Sequence, residues 1–370
     1  MKRRELLKQG LAGVGVFGVP LLAATPSASQ AGAAESSIYV DPEKGNDTGR
    51  GTKDQPLRSL AAAARQVNVS TGSGPITIVL IEGVHSVSET ALFKPAMRTF
   101  TKEAPLTIRA EVLPDEADWA PKRMPVLVHT MPLLPTWLGR PDPFGGVAYG
   151  MHFGASHARV QGLKILGTPH LEHAGDKVIR RVYPIAREDA ALDGLEVSQC
   201  LFIGDPDALP NHCGVLARGN GVVIDHCVFH RCKITAVFWT GNATGCAMRN
   251  SIASNCFVTG AWICAIADDF QFTNNVMTDN RSAVLFQGDI KGYRFANSMF
   301  AANTDVFGAG NGPAVNYRQL APTALPLPSS VTVSATPVRI ETDQAKRDYL
   351  HVSAGTPGSE LGAGLFRKRA

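Results

Sequence analysis

The chain has 370 residues, 44% of them hydrophobic, and its 36 Lys and Arg against 32 Asp and Glu give a formal net charge of +4. A hydrophobic fraction of this size excludes an intrinsically disordered chain. The 36 Gly and 24 Pro residues predict frequent turns and few long helices.

Residues 1–31 have the layout of a cleaved export signal. Basic residues at positions 2, 3, 4 and 8 precede an apolar stretch over 11–24, and small residues follow as far as Ala31. Arg3-Arg4 resembles the twin-arginine signal, which exports proteins already folded. We therefore expect a periplasmic or secreted protein whose mature chain has no membrane span.

The signal also accounts for most of the basic charge. Its four Lys and Arg and one Glu carry a net +3, so the mature chain keeps +4 less +3, or +1. Whole-chain charge is therefore no argument for an acidic partner, and we expect no nucleic-acid partner.

The mature chain opens with a turn-rich segment. Apolar residues over 38–40 are followed by Gly45-Asn46-Asp47, Gly51-Thr52 and Pro56-Leu57. Residues 59–67 have the spacing of a short amphipathic helix, which would cap the open end of a repetitive core.

A repeat of about 24 residues runs through the middle of the chain. A polar residue precedes a short apolar strand in every unit, at spacings of 27, 24, 24 and 23 residues, and this column consists of Gln199, His226, Asn250, Asn274 and Asn297. Apolar residues stand two positions before and two positions after each member, so the alternation predicts that the column points into the core. Stacked Asn side chains can then bond one another from coil to coil.

A second strand follows in every unit, and Leu163, Ile165 and Gly167 indicate an earlier coil. The second strands are predicted at 214–218, 236–240, 261–265, 283–287 and 306–308. Three short strands per unit, with no room for helices, predict a solenoid of parallel strands. The chain resembles the right-handed parallel β-helix proteins of the pectate-lyase-like superfamily, in which an inward Asn ladder lines one turn.

The resemblance extends to both ends and implies an all-β fold with an N-terminal cap. Asp348-Tyr349-Leu350 and Gly355-Thr356-Pro357-Gly358 resemble the usual closing segment. We expect the β-helix over 32–312, with an insertion at 168–190, and a C-terminal strap and closing segment over 313–370.

The seven cysteines all lie between Cys200 and Cys264, without CxxC or zinc-type spacing. Equal offsets in the repeat would stack Cys200 on Cys227 and Cys232 on Cys256, close enough for disulfides. Because twin-arginine export follows folding among reduced thiols, free buried thiols are favoured over bridges.

The same register indicates a candidate site. Lys233 and Arg281 share an offset from the column, and His230 and Arg231 come just before Lys233. In the resembled superfamily the turn and strand at this point border the substrate groove. We assign further residues near this groove to substrate binding: His212, Arg218, Trp239, Trp262 and Asp279.

A cationic cluster of this kind suits β-elimination on a uronate-containing polysaccharide. The reaction needs a base, and it needs cations that neutralise the carboxylate and the developing enolate. We assign Lys233 as the base, because a lysine beside arginine charges can accept a proton near neutral pH. Arg231 and Arg281 would bind the carboxylate, with His230 as an alternative base or proton donor.

The two tryptophans are weaker candidates. Trp239 and Trp262 could stack on sugar rings. The column of Arg218, Thr240, Ala265 and Gln287 has the character of an exposed face, however, and alternation would then turn Trp239 inward. Core packing is therefore favoured for Trp239.

Two other functions stay open. Asp279 and Asp305 could be the acid and base of a glycoside hydrolase on the same fold. The cations could also be solvated charges on a non-catalytic carbohydrate-binding or surface protein. We expect a monomer that needs no cofactor, although the acidic turn residues Asp268, Asp269 and Asp289 leave a Ca²⁺ site open.

Overall fold

Strand-forming segments recur three to a coil from Ser36 onward, and they stack in parallel. The computed structural model describes residues 36–137, 140–141, 146–171, 181–239, 242–264, 267–288, 293–310 and 317–367. The predicted signal and Asp289 lie outside these residues. The stacked strands form a right-handed parallel β-helix, so the predicted fold class is confirmed.

Within the described residues, three sheets of nine strands each make up the solenoid. Along the chain, a coil contributes a strand to sheet A, then to sheet B and then to sheet C. Sheet A consists of Ser36–Val40, Ile76–Leu80, Leu106–Ala110, Ala158–Gln161, Asp193–Ser198, Asn220–Asp225, Ala247–Arg249, Gln271–Thr273 and Arg294–Ala296. Sheet B consists of Val84–Val87, Val126–His129, Lys164–Leu166, Leu201–Ile203, Val228–His230, Ile252–Ser254, Val276–Thr278, Met299–Ala301 and Thr332–Ser334. Sheet C consists of Ala91–Phe93, Val147–Phe153, Arg181–Arg187, Cys213–Ala217, Ile234–Trp239, Trp262–Cys264, Ser282–Gln287, Asp305–Ala309 and the antiparallel Arg318–Gln319.

Helical structure is sparse in the described chain. One α-helix spans Leu60–Val69, and single 3₁₀ turns span Pro121–Arg123, Pro322–Ala324 and Ser359–Leu361. A two-stranded hairpin joins Thr136–Trp137 to Arg140–Pro141. No helix among the described residues has the length and apolar character needed to cross a membrane.

The predicted N-terminal cap is confirmed. The Asp47 carboxylate accepts hydrogen bonds from the backbone N–H groups of Arg58 and Ser59 and from the Ser59 hydroxyl. Ser59 in turn caps the helix, because its side chain accepts from the Ala62 N–H at 3.1 Å. The helix buries Leu60 and neighbouring alanines in the same core cluster as the first strands, so it closes the end of the core.

The polar column of the repeat lies at the corner between sheets A and B. It was predicted to point into the core, but it points away from the core. Its five members all have positive φ, between 43° and 55°, a left-handed conformation that Asn tolerates best among residues with a Cβ. Such a residue bends the chain and reverses the in-out alternation after it. The residues that point into the core are therefore the next ones along: Cys200, Cys227, Ser251, Asn275 and Ser298.

This inner column is hydrogen-bonded along the axis, as buried polar groups require. The Asn275 amide oxygen accepts from Ser251 N–H at 2.9 Å, and its nitrogen donates to the Met248 carbonyl at 2.8 Å. The outer column is also bonded, since Asn274 Nδ2 donates to Asn250 Oδ1 at 3.0 Å. Coil-to-coil Asn bonding is thus confirmed, on the outside of the corner.

A second corner, between sheets B and C, has the same arrangement of a left-handed residue followed by an inward-pointing residue. Arg231, Asn255, Asp279 and Ala302 have positive φ there, and the residue after each points inward. Within this inner column, Asn280 accepts from the Cys256 N–H at 2.9 Å and donates to the Ala253 carbonyl at 3.0 Å. The A–B corner and the B–C corner of the core are therefore each lined by a hydrogen-bonded polar column.

All seven cysteines are buried free thiols. Cys200 and Cys227 are adjacent in one inner column, and Cys232 and Cys256 are adjacent in the other. Burial raises the pKa of the Cys227 and Cys232 thiols, which keeps them protonated and unreactive.

The outer face of sheet B is covered by the C-terminal part of the chain. Because the corner reverses the alternation, the apolar residues two positions after the column face outward and not into the core. They pack on residues of the C-terminal part, and the shared cluster includes Leu201, Val228, Ile252, Val276, Met299, Val338, Tyr349, Leu350 and Leu365. The predicted insertion at 168–190 is also corrected in part, since Arg181–Arg187 is a regular strand of sheet C.

His129 is expected to make the fold sensitive to acid. It is fully buried, and neither ring nitrogen has a hydrogen-bond partner among the described residues. Burial lowers its pKa to about 4, whereas an unfolded chain would protonate it near its ordinary pKa of about 6.5. The free energy of unfolding should therefore fall by about 1.4 kcal/mol per pH unit as the pH drops through this window.

Urea unfolding at pH 7.5, 5.5 and 4.5 measures this effect as the difference between the wild type and His129→Leu. The variant should lose less stability than the wild type on acidification. Equal losses in the two proteins would show that His129 does not set the acid sensitivity.

Candidate functional site

The outer face of sheet C carries aromatic and charged side chains in register. Ala217 pairs with Phe238, and Phe238 pairs with Ile263, all three belonging to the core. Trp239, one residue after Phe238, therefore faces outward. The expectation that Trp239 points into the core is wrong, because Trp239 aligns with Arg218 on the outer face.

Arg218 and Trp239 meet on this face. The Arg218 guanidinium carbon lies 5.5 Å from the centroid of the Trp239 ring, within the range of a cation–π interaction. Both side chains are half-buried, so each keeps part of its surface toward solvent. Trp262 also faces outward, but it is only 6% exposed and packs in an apolar cluster that includes Val237 and Leu285.

Lys233 and His212 are neighbours on adjacent coils. Lys233 directly precedes the strand Ile234–Trp239, and Ile234 pairs with Cys213, so Lys233 aligns with His212. The backbone agrees, since Ile234 N–H donates to the His212 carbonyl at 3.2 Å. Lys233 is 5% exposed and His212 is 3% exposed. Burial raises the pKa of the nearby Cys213 thiol, and the Lys233 charge opposes that rise.

Arg281 lies on the same line as Lys233, two coils further along. Phe257 N–H donates to the Cys232 carbonyl and Ile234 is bridged to Thr259, so Phe257 and Val258 occupy the coil between the two basic residues. Two coils correspond to about 10 Å. The Arg281 guanidinium is exposed and lies 4.5 Å from the centroid of the Tyr317 ring.

Three predicted site residues lie elsewhere. His230 is on the outer side of sheet B, where its Nδ1 is 2.9 Å from Ser254 Oγ, and burial lowers its pKa to about 4. Arg231 stands at the corner between sheets B and C, 3.9 Å from the Asp205 carboxylate. Asp279 occupies the same corner two coils away and accepts from the Thr278 hydroxyl at 2.8 Å.

The outer face of sheet C also carries a buried polar group that the sequence does not reveal. The Tyr149 hydroxyl donates to Glu188 Oε1 at 2.8 Å, and Glu188 is 7% exposed. Arg181 and Tyr183 lie close by. Burial lowers the pKa of Arg181, and the neighbouring Tyr183 and Glu188 oppose that shift. Glu188 follows the pair Arg187–Ala217 and thus aligns with Arg218. Assigning 181–190 to an insertion concealed this register.

The predicted hydrolase carboxylates are both engaged. Asp279 is bonded by Thr278, and Asp305 accepts from the Tyr317 hydroxyl. Asp269 accepts from the Gly245 N–H at 2.7 Å. In the part of the chain that the structure describes, no group of three or more His, Cys, Asp or Glu side chains is placed to hold a metal ion.

No family model and no curated protein matches this chain. Among solved structures, a lacto-N-biosidase from Eubacterium ramulus is 13% identical with a TM-score of 0.39, covering 72% of this chain and 56% of its own. This chain therefore spans a little over half the length of that enzyme. A pectin methylesterase from Aspergillus niger is 12% identical with a TM-score of 0.34, over 90% of this chain and 95% of its own. A rhamnogalacturonan lyase is 10% identical with a TM-score of 0.36, over 89% and 99%.

Proposed function

We propose that this protein is exported and that it binds an acidic polysaccharide along the outer face of sheet C, cleaving it by β-elimination. The observation that carries the proposal is the outward-facing Trp239 beneath Arg218, with Lys233 and His212 on the neighbouring edge of the same sheet. A guanidinium held over an exposed aromatic ring suits a sugar that bears a carboxylate, because the cation can pair with the carboxylate.

The proposed chemistry uses few groups. A base removes the proton next to the uronate carboxylate, the electron pair forms a double bond, and the glycosidic oxygen leaves and takes up a proton from water. Lys233 is the proposed base, with His212 beside it as a substrate-binding group. Arg218 is better placed than Arg231 to bind the carboxylate, because it shares the outer face of sheet C with Trp239, whereas Arg231 lies at a corner near Asp205. Arg281 lies two coils from Lys233 on the same line and would add a second basic side chain along the solenoid axis.

A glycoside hydrolase is the second candidate, and Glu188 favours it. Its carboxylate is buried on the same face and is bonded by Tyr149. Hydrolysis would require a second carboxylate about 5–10 Å from that of Glu188. A non-catalytic carbohydrate-binding protein is the third candidate, since the β-helix alone does not determine an activity.

One assay separates the three functions. The mature protein is incubated with pectate, alginate and glycosaminoglycans, and both unsaturated-uronate absorbance and reducing ends are followed. We expect absorbance and reducing ends to rise together. Reducing ends without absorbance would indicate a hydrolase, and binding without either signal would indicate a binding protein.

We further propose that the reaction requires no cofactor and that the protein is a monomer. Parallel assays with EDTA and with added Ca²⁺ test the first point, since a calcium site near Asp268 and Asp269 would make activity depend on the ion. Size-exclusion chromatography with light scattering tests the second.

A further inference from the structure

His351 holds the end of the chain through a specific tautomer. Its Nε2 accepts a hydrogen bond from the backbone N–H of Leu365 at 2.8 Å, and its Nδ1 lies 3.0 Å from the Tyr349 carbonyl. A backbone N–H can only donate and a carbonyl can only accept. The ring must therefore be neutral, with its proton on Nδ1.

Close packing around the ring directs its Nε2 toward the Leu365 N–H. His351 is 6% exposed, and its ring stacks on Phe366 with centroids 4.7 Å apart. A Cβ on Gly364 would lie 2.1 Å from the ring carbon Cδ2, so the Gly364 backbone packs directly against the ring. A proton on Nε2 would point at the Leu365 N–H and would break that hydrogen bond.

The residues next to Leu365 attach the end of the chain to the solenoid. We call residues 364–367 the tail segment. Gly364 N–H donates to the Asn250 carbonyl at 2.9 Å, and the Leu365 carbonyl accepts from Gln199 Nε2 at 2.8 Å. Arg367 donates to Ser198 Oγ at 2.8 Å. The tail segment thus covers the corner column at Gln199 and Asn250, and Leu365 links this cover to His351.

Several groups around the His351 ring affect its protonation. Asp348, whose carbonyl accepts from the His351 N–H at 2.8 Å, favours a protonated ring. The Arg347 guanidinium lies 5.1 Å from the centroid of the Phe366 ring that stacks on His351. Tyr349 contributes its carbonyl, and Glu341 is paired with Lys346 at the surface. Burial is the largest influence, and it lowers the pKa of His351.

We propose that the tail segment is a pH-sensitive latch: neutral His351 holds it on the corner between sheets A and B, and protonation of His351 releases it. Release would uncover Gln199 and the outer apolar face of sheet B near Leu201 while the coils themselves stay folded. The effect has a defined sign, because the open state binds a proton that the latched state cannot accommodate. Acid therefore favours the open state.

Hydrogen–deuterium exchange of the C-terminal peptide tests the latch in the full-length protein. After correction for the intrinsic pH dependence of exchange, the Leu365 amide should exchange about tenfold faster for each pH unit below about 6.5. Peptides from the inner strands should keep their protection over the same range. A C-terminal peptide whose corrected exchange does not change between pH 7.5 and 5 would overturn the proposal.

Three variants separate the latch from general acid sensitivity. His351→Gln keeps an acceptor for Leu365 without a titrating group, so its tail segment should stay protected at pH 5. His351→Leu removes the acceptor and should lose protection already at pH 7.5. His129→Leu removes a buried titrating group elsewhere and should respond like the wild type. An unchanged acid response in His351→Gln, or its loss in His129→Leu, would contradict the proposed role of His351.

Discussion

Replacing Gly167 by alanine is expected to destabilise the fold by about 3 kcal/mol or more, the largest effect anticipated for a single methyl group. Gly167 follows the strand Lys164–Leu166 at the corner between sheets B and C. A Cβ at this position would lie 1.7 Å from the Leu209 carbonyl oxygen and 2.3 Å from its carbon. These are backbone atoms, which cannot rotate away as the end of a side chain can.

The loop that approaches Gly167 is itself held in place. Asp205 and Leu209 bridge one another, and Thr168 N–H donates to the Pro210 carbonyl at 3.0 Å. Relief of the clash would therefore require two coils to separate. Gly154→Ala is the matched control, because its nearest neighbours are side-chain carbons of Lys94 at 3.0 to 3.3 Å, which can move.

Urea denaturation at neutral pH measures both variants. Gly167→Ala should unfold at a much lower urea concentration than the wild type, or fail to fold, and Gly154→Ala should stay close to the wild type. Comparable stability of the two variants would show that the corner adapts and that the close approach is not required.

Lys233→Ala is expected to reduce turnover of the cleaved glycan about 10²- to 10⁴-fold, the range for loss of a general base. The expectation rests on the proposed lyase function and on the position of Lys233 beside His212. Arg218→Ala should weaken substrate binding, because it removes the cation above Trp239. Arg231→Ala should have a small effect, since this side chain lies at the corner near Asp205.

Lys164→Ala is the control for the loss of a partly buried lysine. Lys164 belongs to sheet B and is partly buried, so its replacement tests the loss of an amine without touching sheet C. Initial rates of unsaturated-uronate formation, measured alongside circular dichroism of each variant, give the comparison. Full activity in folded Lys233→Ala would remove Lys233 from the mechanism.

The period of the repeat explains why so much of the solenoid follows from the sequence. Equal spacing forces counterpart residues to lie one coil apart, as the strand pairs Val276–Met299 and Ile252–Val276 show. The strand positions and the stacked cysteines depend on this spacing, whereas the capping helix follows from its own amphipathic pattern. Each of these predictions agrees with the structure.

The direction of the side chains is harder to predict from the sequence, because it depends on the phase of the inward–outward alternation along each strand. A single left-handed residue, such as Asn274 with φ of 55°, reverses that phase without changing the repeat length. Asn275 therefore lines the core where Asn274 was expected to do so. An offset of one residue likewise brought Trp239 to the outside, where it contacts Arg218.

The sequence by itself determined the capping helix and the period of the repeat, and through the period the β-helix and the alignment of Lys233 with Arg281. Only the tertiary structure decided which of these residues share a face. His230 and Arg231 are near Lys233 in sequence, but a corner separates sheet B from sheet C between them and directs His230 to another side of the solenoid. The Leu365–His351 contact depends on how the C-terminal part of the chain, outside the regular repeat, packs on the solenoid, and a local period carries no information about such a contact.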